Sequence, residues 1–419
     1  MENILLGVIL VIIVADYLFD RVMDLLNASR WSNELPEELK GIYDEDKYRR
    51  SQQYSRVNMR LGIITSSLSF LLILGMLLWG GFGWLDGFLR EYTTQPVLLA
   101  LLFFGIIGLA SDILSTPFDV YATFVVEERF GFNRTTPAIY LADKIKGWLL
   151  ALLIGGALLA LFVWFYDVAG KLFWLWAWVV FSGFSVFMTM FYSTLIVPLF
   201  NKQTPLEEGP LRTAIEDFAR EAGFRLDNIF VIDGSKRSSK ANAYFSGLGP
   251  KKRIVLFDTL IKDHTTDELV AVLAHEIGHY KKKHTRKGMA VSLLQSGVML
   301  YLLGIFVNQP GLSLALGGQQ ASFHLGILAF ALLYAPVSLL LGIAGNHMSR
   351  RHEYQADAFA ATHYRPGPLM EALKKLSVNN LSNLRPHPAY VFVHYSHPPL
   401  LKRLEHLENL KDLKQPTST

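Results

Sequence analysis

The sequence contains no cysteine among its 419 residues, and this absence excludes two kinds of site. Without thiols the chain has neither disulfides nor thiolate metal ligands, so any metal site must use histidine and carboxylate side chains. Charged residues are also scarce, at 18% of the chain, against about 25% in soluble domains. The formal net charge of +4 is small and spread along the chain, so nucleic acid is not an expected partner.

Apolar residues, by contrast, are abundant and occur in long runs. They make up 51% of the sequence, and Phe, Trp and Tyr alone reach 13%, as expected where aromatic side chains lie at lipid headgroups. Crossing a hydrocarbon core of roughly 30 Å takes about 20 helical residues. We predict seven spans, at 3–26, 60–83, 97–120, 147–167, 172–200, 287–307 and 322–346. The first lacks a basic start and a small-residue cleavage site, so we expect it to remain as a signal anchor.

Basic residues between the spans predict the orientation, because Lys and Arg accumulate in cytoplasmic loops. The connections after the first and third spans are rich in them, whereas the alternate connections hold Arg90, Lys171 or neither Lys nor Arg. The basic segments, the polar residues 201–286 and the C-terminus should therefore be cytoplasmic. The membrane is either a bacterial inner membrane or the endoplasmic reticulum membrane, and the compact loops favour a bacterial source.

Residues 201–286 have the pattern of a soluble insert with a small β-sheet. Strands are predicted at 228–232 and 253–257. Thr265-Thr-Asp-Glu268 is a capping-box pattern, which opens a helix that continues through His279. After the seventh span the helix should continue over 349–361, and a further amphipathic helix is predicted at 398–413.

His275-Glu-Ile-Gly-His279 matches the HExxH pattern of zinc peptidases. Side chains four apart lie on one helix face, so both imidazoles can bind one tetrahedral Zn²⁺. Glu276 lies beside them and can take a proton from the attacking water as general base. A bare match also occurs on exposed helices, but the apolar residues 269–274 would bury one face of this helix. We therefore predict one Zn²⁺ per chain.

A catalytic zinc ion needs a third protein ligand, and the best candidate follows the last span. Glu353 and Asp357 are four residues apart and share a helix face. We predict Glu353 as the ligand and Asp357 as the group that hydrogen-bonds a ligand imidazole from behind. The alternative is an ordinary charged helix, in which Arg350 and Arg351 pair with these carboxylates.

Two further histidines lie in His394-Tyr-Ser-His397-Pro-Pro-Leu-Leu-Lys-Arg403, near a predicted helix start. His397 could donate a hydrogen bond to the oxyanion of a tetrahedral intermediate, or it could be structural. We interpret the other histidines outside the HExxH motif as polar surface or span-end residues. They are His264, His284, His324, His347, His352, His363, His387 and His406.

Together these residues resemble the integral-membrane zinc CAAX prenyl endopeptidases (type I), a branch of the gluzincin metallopeptidases. The resemblance rests on separated motifs that occur in the same order along nearly the whole chain. They are Glu127-Glu-Arg-Phe-Gly-Phe-Asn133-Arg-Thr-Thr136, Pro198-Leu-Phe-Asn-Lys202, Pro205-Leu-Glu-Glu-Gly209, Ser235-Lys-Arg-Ser-Ser239, Asn242-Ala-Tyr244 and the segments 275–279, 346–357 and 394–403.

The resemblance implies a mainly α-helical membrane protein, with seven transmembrane helices around a large water-filled chamber. A cytoplasmic gluzincin-type metallopeptidase domain with a small β-sheet would open into this chamber. Zinc would be bound by His275, His279 and Glu353, and His397 and Arg403 would contact the transition state. The segment Asn242, Ala243 and Tyr244 would form a strand edge that pairs with an extended substrate peptide.

We accordingly divide the chain into four parts. Residues 1–200 hold five transmembrane helices with cytoplasmic loops, and residues 201–286 form the metallopeptidase insert with the HExxH helix. Residues 287–348 hold the sixth and seventh transmembrane helices, and residues 349–419 form a C-terminal cytoplasmic part with the third zinc ligand.

The implied activity is endoproteolysis of a peptide or protein that ends in a prenylated CAAX cysteine. None of these residues specifically recognises a prenyl group, so an unlipidated substrate fits them equally well. One alternative is a membrane quality-control metallopeptidase that acts on unlipidated proteins, which usually has fewer spans. A more remote alternative is a non-enzymatic scaffold or transporter, which an intact Glu276 disfavours because metal binding alone needs no base.

Overall fold

The computed structural model describes residues 2–224, 229–246 and 253–412. Within this part of the chain, six helical segments are long and apolar enough to cross a membrane: Glu2–Ala28, Glu45–Leu78, Pro96–Glu127, Pro137–Phe200, His284–Phe306 and Phe323–His363. The prediction of seven spans divides the fourth segment in two. Gly170, with φ of 52°, interrupts this segment, and the helices before and after it pack against each other. The chain is therefore a multi-pass membrane protein.

The helices before the sheet are α1 (Glu2–Ala28), α2 (Glu45–Leu78), α3 (Gly81–Arg90), α4 (Pro96–Tyr121), α5 (Pro137–Leu150), α6 (Ala157–Ala169), α7 (Phe173–Leu195) and α8 (Val197–Phe200). A π-helical turn extends α4, and another joins α5 to α6. The later helices are α9 (Pro210–Glu221), α10 (Asp258–Asp263), α11 (Thr266–Lys281), α12 (His284–Phe306), α13 (Pro310–Ala315), α14 (Phe323–His363), α15 (Pro366–Asn379), α16 (Pro388–His394) and α17 (Leu400–Asp412). α14 confirms the predicted continuation of the last span, and Pro336 lies inside it.

The spans form a closed ring. Its order is α1, α2, α4, α6, α7, α12 and α14, which contacts α1 again. At most 17% of the residues in the apolar 18-residue window of any spanning segment are buried. An amphipathic helix on a packed core buries a stripe at least about 100° wide, or more than a quarter of its surface. Most of the surface of the described spans therefore faces either lipid or the inside of the ring.

One end of this ring is closed by a buried apolar cluster in which the short helices α3 and α13 join the spans. Its members are Ile9, Leu77, Phe82, Leu85, Leu89, Leu99, Phe103, Leu312, Ala315, Leu316, Leu325 and Ala329. The amide of Gly83 donates to the carbonyl of Leu316 at 2.9 Å. α14 begins in this cluster and ends at the soluble part of the chain, so the cluster and the soluble part lie at opposite ends of the ring.

The soluble part contains a four-stranded mixed sheet, which confirms the predicted small β-sheet. Its strands are β1 (Gln203–Pro205), β2 (Ile229–Ile232), β3 (Ala243–Ser246) and β4 (Arg253–Phe257), in the order β1-β2-β4-β3. β2 and β4 are parallel and the other pairs are antiparallel. β1 was not predicted, because three residues ending in proline carry little strand signal. Asn228 and Leu413, at the ends of a predicted strand and helix, lie outside the described residues.

α11 begins with the predicted capping box. The amide of Glu268 donates to Thr265 Oγ1 at 3.3 Å, and the amide of Thr265 donates to Glu268 Oε2 at 2.9 Å. The helix then runs through the main core of the soluble part, where residues 269–274 are all buried. The core on several sides fixes the position of α11, and with it the position of the HExxH motif.

We expect Gly83→Ala to lower the midpoint of thermal unfolding in detergent. A Cβ atom at Gly83 would lie 1.9 Å from the carbonyl oxygen of Gly317, so α3 would have to move away from the end cluster. Such overpacking typically costs about 1–3 kcal/mol. Gly87→Ala is the matched control, since nothing lies within 4 Å of a Cβ there. Equal midpoints for the two variants would show that the closed end does not depend on this contact.

Candidate metal centre

α11 and α14 approach each other closely at Gly278, the fourth residue of the HExxH motif. A Cβ atom at this position would lie 3.0 Å from Cβ of Phe359 and 3.1 Å from Cα of Ala356. Because glycine has no Cβ, the two helices can pack with almost no space between them. This contact brings the histidine face of α11 against the acidic face of α14.

His275, His279 and Glu353 meet at this contact with their ligand atoms turned toward one another. The Nε2 atoms of the two histidines are 3.1 Å apart, and the Glu353 carboxylate oxygens lie 3.5 Å from His275 Nε2 and 3.2 Å from His279 Nε2. Ligands about 2.0–2.1 Å from a tetrahedral zinc ion are separated by about 3.3 Å. The three edges match that separation, so these residues fit one zinc ion.

His275 is supported from behind by Asp357 and Arg403. His275 Nδ1 donates to Asp357 Oδ1 at 2.9 Å. Arg403 makes two hydrogen bonds to the same carboxylate, from Nε at 2.8 Å and from Nη2 at 2.5 Å. Asp357 is completely buried, so this pairing satisfies a carboxylate that water cannot reach. The arrangement fixes the His275 ring with its Nε2 atom toward Glu353.

The charge at the centre also favours a divalent cation. Glu276, Glu353 and Asp357 all lie close enough to act on Arg403, and three carboxylates less one guanidinium leave two negative charges. Burial alone would lower the pKa of His275, but hydrogen bonds to Asp357 and Glu353 outweigh burial and raise this pKa to about 9. Positive charge is therefore stabilised at the point where the three ligand atoms converge.

The centre opens into a cavity of about 530 Å³. Glu276 and His397 line it together with His275, His279 and Glu353, and residues 242–245 at the edge of the sheet form another part of the wall. The His397 side chain is 67% exposed, and its Nδ1 lies 3.1 Å from Glu353 Oε2. Arg403 is mostly buried, with Nη1 3.3 Å from Glu353 Oε2. It thus contacts both acidic residues of α14, rather than standing free in the cavity.

Comparisons with known proteins cover both halves of the chain. Residues 25–202 match the family model described as CAAX prenyl protease N-terminal, five membrane helices, and residues 205–411 match the model for peptidase family M48. The chain belongs to peptidase family M48. It is therefore a membrane metallopeptidase that acts on peptides or proteins, and membership in the family implies a catalytic metal.

Individual M48 relatives match over nearly their full length. CAAX prenyl protease 1 of Saccharomyces cerevisiae is 36% identical, with 91% of this chain and 90% of the relative covered. The CAAX prenyl protease 1 homolog of Oryza sativa subsp. japonica is 35% identical, with 98% and 99% covered. The crystal structure of S. mikatae Ste24p superimposes with a TM-score of 0.91 at 33% identity, over 96% of this chain and 99% of that one. The fold of this M48 protein is thus that of Ste24p.

Three histidines interpreted as surface or span-end residues are in fact buried: His264, His284 and His324. His264 contacts backbone carbonyls. His324 pairs with buried Asp86 at 2.6 Å in the closed end of the ring. His284 contacts His279. The only sequence signal for this contact was the position of His284 five residues after His279, beyond the end of the motif helix.

We expect Gly278→Val to weaken zinc binding. A branched side chain would push α11 away from α14 and separate the histidines from Glu353. Overpacking typically costs about 1–3 kcal/mol. If this cost falls only on the metal-bound state, zinc affinity drops by about 5- to 150-fold. Zinc affinity of the purified protein is measured by competition with a chromophoric chelator. Gly288→Val on α12 is the control, since its Cβ would meet nothing within 4 Å. Unchanged affinity in Gly278→Val would contradict the role given to this contact.

Proposed function

We propose that this protein is a zinc endopeptidase that removes the C-terminal residues of prenylated CAAX proteins, cutting after the modified cysteine. The observation that carries the proposal is the triangle of His275, His279 and Glu353 at zinc-ligand spacing, with Glu276 in the same cavity. The names of the relatives support the substrate class, since the two relatives described above are named as a CAAX prenyl protease 1 and a homolog of it. A lipidated substrate also explains why a protease has its site at the end of a ring of spans.

We infer the following roles. His275, His279 and Glu353 hold the metal, which when bound lowers the pKa of a water molecule and polarises the scissile carbonyl. Glu276 takes the proton from the attacking water and passes it to the leaving amine. His397, exposed in the cavity, donates a hydrogen bond to the oxyanion. Asp357 orients His275.

Arg403 is buried, which favours a role in positioning other side chains over direct contact with the transition state. Its guanidinium donates to Asp357 twice and lies within 3.3 Å of Glu353. We infer that Arg403 positions the two acidic residues of α14 and balances part of their charge. A role at the oxyanion then falls mainly to His397.

The substrate peptide would lie between the sheet and α15. β3 is an edge strand, so Asn242, Ala243 and Tyr244 can offer main-chain groups to an extended peptide. The opposite wall carries Leu369, Leu373 and Leu376, a row of leucines at helical spacing. This wall suits the aliphatic residues that follow the cysteine in a CAAX sequence.

The decisive experiment is cleavage of a farnesylated CAAX peptide by purified protein of measured zinc content. We expect wild type to cleave it, and Glu276→Ala to lose about 10²–10⁴ of kcat/KM while keeping its zinc, because the base is removed and the ligands remain. Glu408→Gln, on the exposed face of α17, is the control and should cleave normally.

Further arms of this experiment separate the rival activities. The same peptide without the farnesyl group should be cleaved more slowly. Cleavage of unlipidated membrane proteins alone, with the farnesylated peptide untouched, would assign the protein to quality control instead. Zinc-loaded wild type that cleaves neither substrate would refute the proposed activity.

We also propose that the metal centre faces the cytoplasm, because the loops on its side of the membrane are rich in Lys and Arg. Because the chain has no cysteine, single cysteines report each face without background. We expect Glu408→Cys to react with a membrane-impermeant maleimide only from the cytoplasmic side, and Gln319→Cys, at the closed end of the ring, only from the other. The reverse labelling pattern in vesicles of known orientation would overturn the assignment.

A further inference from the structure

We propose that His284 is a positioning residue that holds the second zinc ligand, His279, in its metal-binding tautomer. The inference rests on the proposed zinc site and adds a residue outside the HExxH motif to it. It assigns to His284 a part in metal binding that its place after the motif helix does not suggest.

The contacts form a chain that leads away from the metal. His279 Nε2 faces the other ligands, at 3.1 Å from His275 Nε2 and 3.2 Å from Glu353 Oε1. On the opposite side of the same ring, His279 Nδ1 lies 3.0 Å from Nδ1 of His284. His284 Nε2 in turn lies 2.9 Å from Oε1 of Gln355. His279 Nε2 thus faces the other two metal-site residues, while His279 Nδ1 and both nitrogens of His284 each have one neighbour along the chain.

Only one distribution of protons lets this chain bind a metal. The amide oxygen of Gln355 can only accept, so His284 Nε2 carries a hydrogen and donates to it. The Nδ1 atom of His284 is then an acceptor, and His279 Nδ1–H donates to it. This leaves the lone pair of His279 on Nε2, where the metal is bound. The reverse assignment would place a hydrogen on Nε2 and block the ligand.

The surroundings of His284 hold its ring in this orientation. The ring is buried, with 5% of its surface exposed, and it stacks on His352 with centroids 3.9 Å apart and planes 11° from parallel. Lys283, between α11 and α12, adopts a left-handed conformation with φ of 60°, which is costly for a residue with a side chain. This turn separates α11 from α12, and it leaves the ring of His284, the first residue of α12, beside the ring of His279.

The two ligand histidines are therefore supported by different chemistry. His275 donates to Asp357, whereas His279 donates to an imidazole whose tautomer is set by Gln355. Removal of an outer hydrogen-bond partner of a metal ligand typically costs 10- to 100-fold in metal affinity. The same range is expected for His284.

The test compares zinc affinities of purified variants, measured by chelator competition with Zn²⁺ alone. His284→Leu removes the acceptor and should bind zinc about 10- to 100-fold more weakly. His284→Asn puts an amide oxygen near the Nδ1 position and should restore affinity to near the wild-type value. The visible absorption spectrum of the Co²⁺-substituted protein should be altered in His284→Leu and close to wild type in His284→Asn.

Gln355, which is exposed on α14, provides a second test in case His284→Leu does not fold. Gln355→Leu should weaken zinc binding, whereas Gln355→Glu keeps an acceptor and should not. Wild-type affinity in both leucine variants would overturn the inference, as would equal losses in His284→Leu and His284→Asn with unchanged unfolding midpoints. Failure of wild type to bind zinc would instead refute the proposed function, so the two failures are distinguishable.

Discussion

The contact between α11 and α14 at Gly278 is the constraint on which the metal centre depends. Two of the proposed ligands lie on α11 and the third lies on α14, so neither helix alone can complete the set. The interhelical separation therefore sets the size of the ligand triangle. Three features that do not contact the metal fix this separation. They are the core around α11, the capping box at its start, and the absence of a side chain at position 278.

Around this contact, hydrogen bonds from polar side chains fix the orientation of the two histidine rings, which packing alone does not determine. Packing sets where an imidazole lies, but not which nitrogen carries the hydrogen. Asp357, with its charge balanced by Arg403, orients one ring, and His284 with Gln355 orients the other. α14 supplies Glu353, Gln355 and Asp357 within five residues. A little more than one turn of this helix thus provides the proposed third ligand and one support for each of the other two.

Much of this centre follows from local sequence, because a helix converts spacing into position. His275, Glu276 and His279 share a motif, the capping box predicts where their helix starts, and Glu353 and Asp357 share a face. The strand pairings depend on contacts across the fold, as does the burial of His324 against Asp86. The role of His284 could not be predicted, because its contact with His279 depends on the left-handed conformation of Lys283, which no local sequence signal predicts.

The continuity of α14 has a mechanical consequence. Pro336 removes a backbone hydrogen bond inside this helix, which makes it the point of least resistance to bending. Glu353 lies 17 residues further on, about 26 Å along the axis. A bend of one degree at the proline would move the carboxylate sideways by about 0.4 Å, more than the roughly 0.2 Å that metal–ligand distances tolerate. Membranes of different thickness tilt or kink their spans differently. A span that tilts or kinks with the thickness of its membrane would therefore carry Glu353 with it, relative to the two histidines on α11.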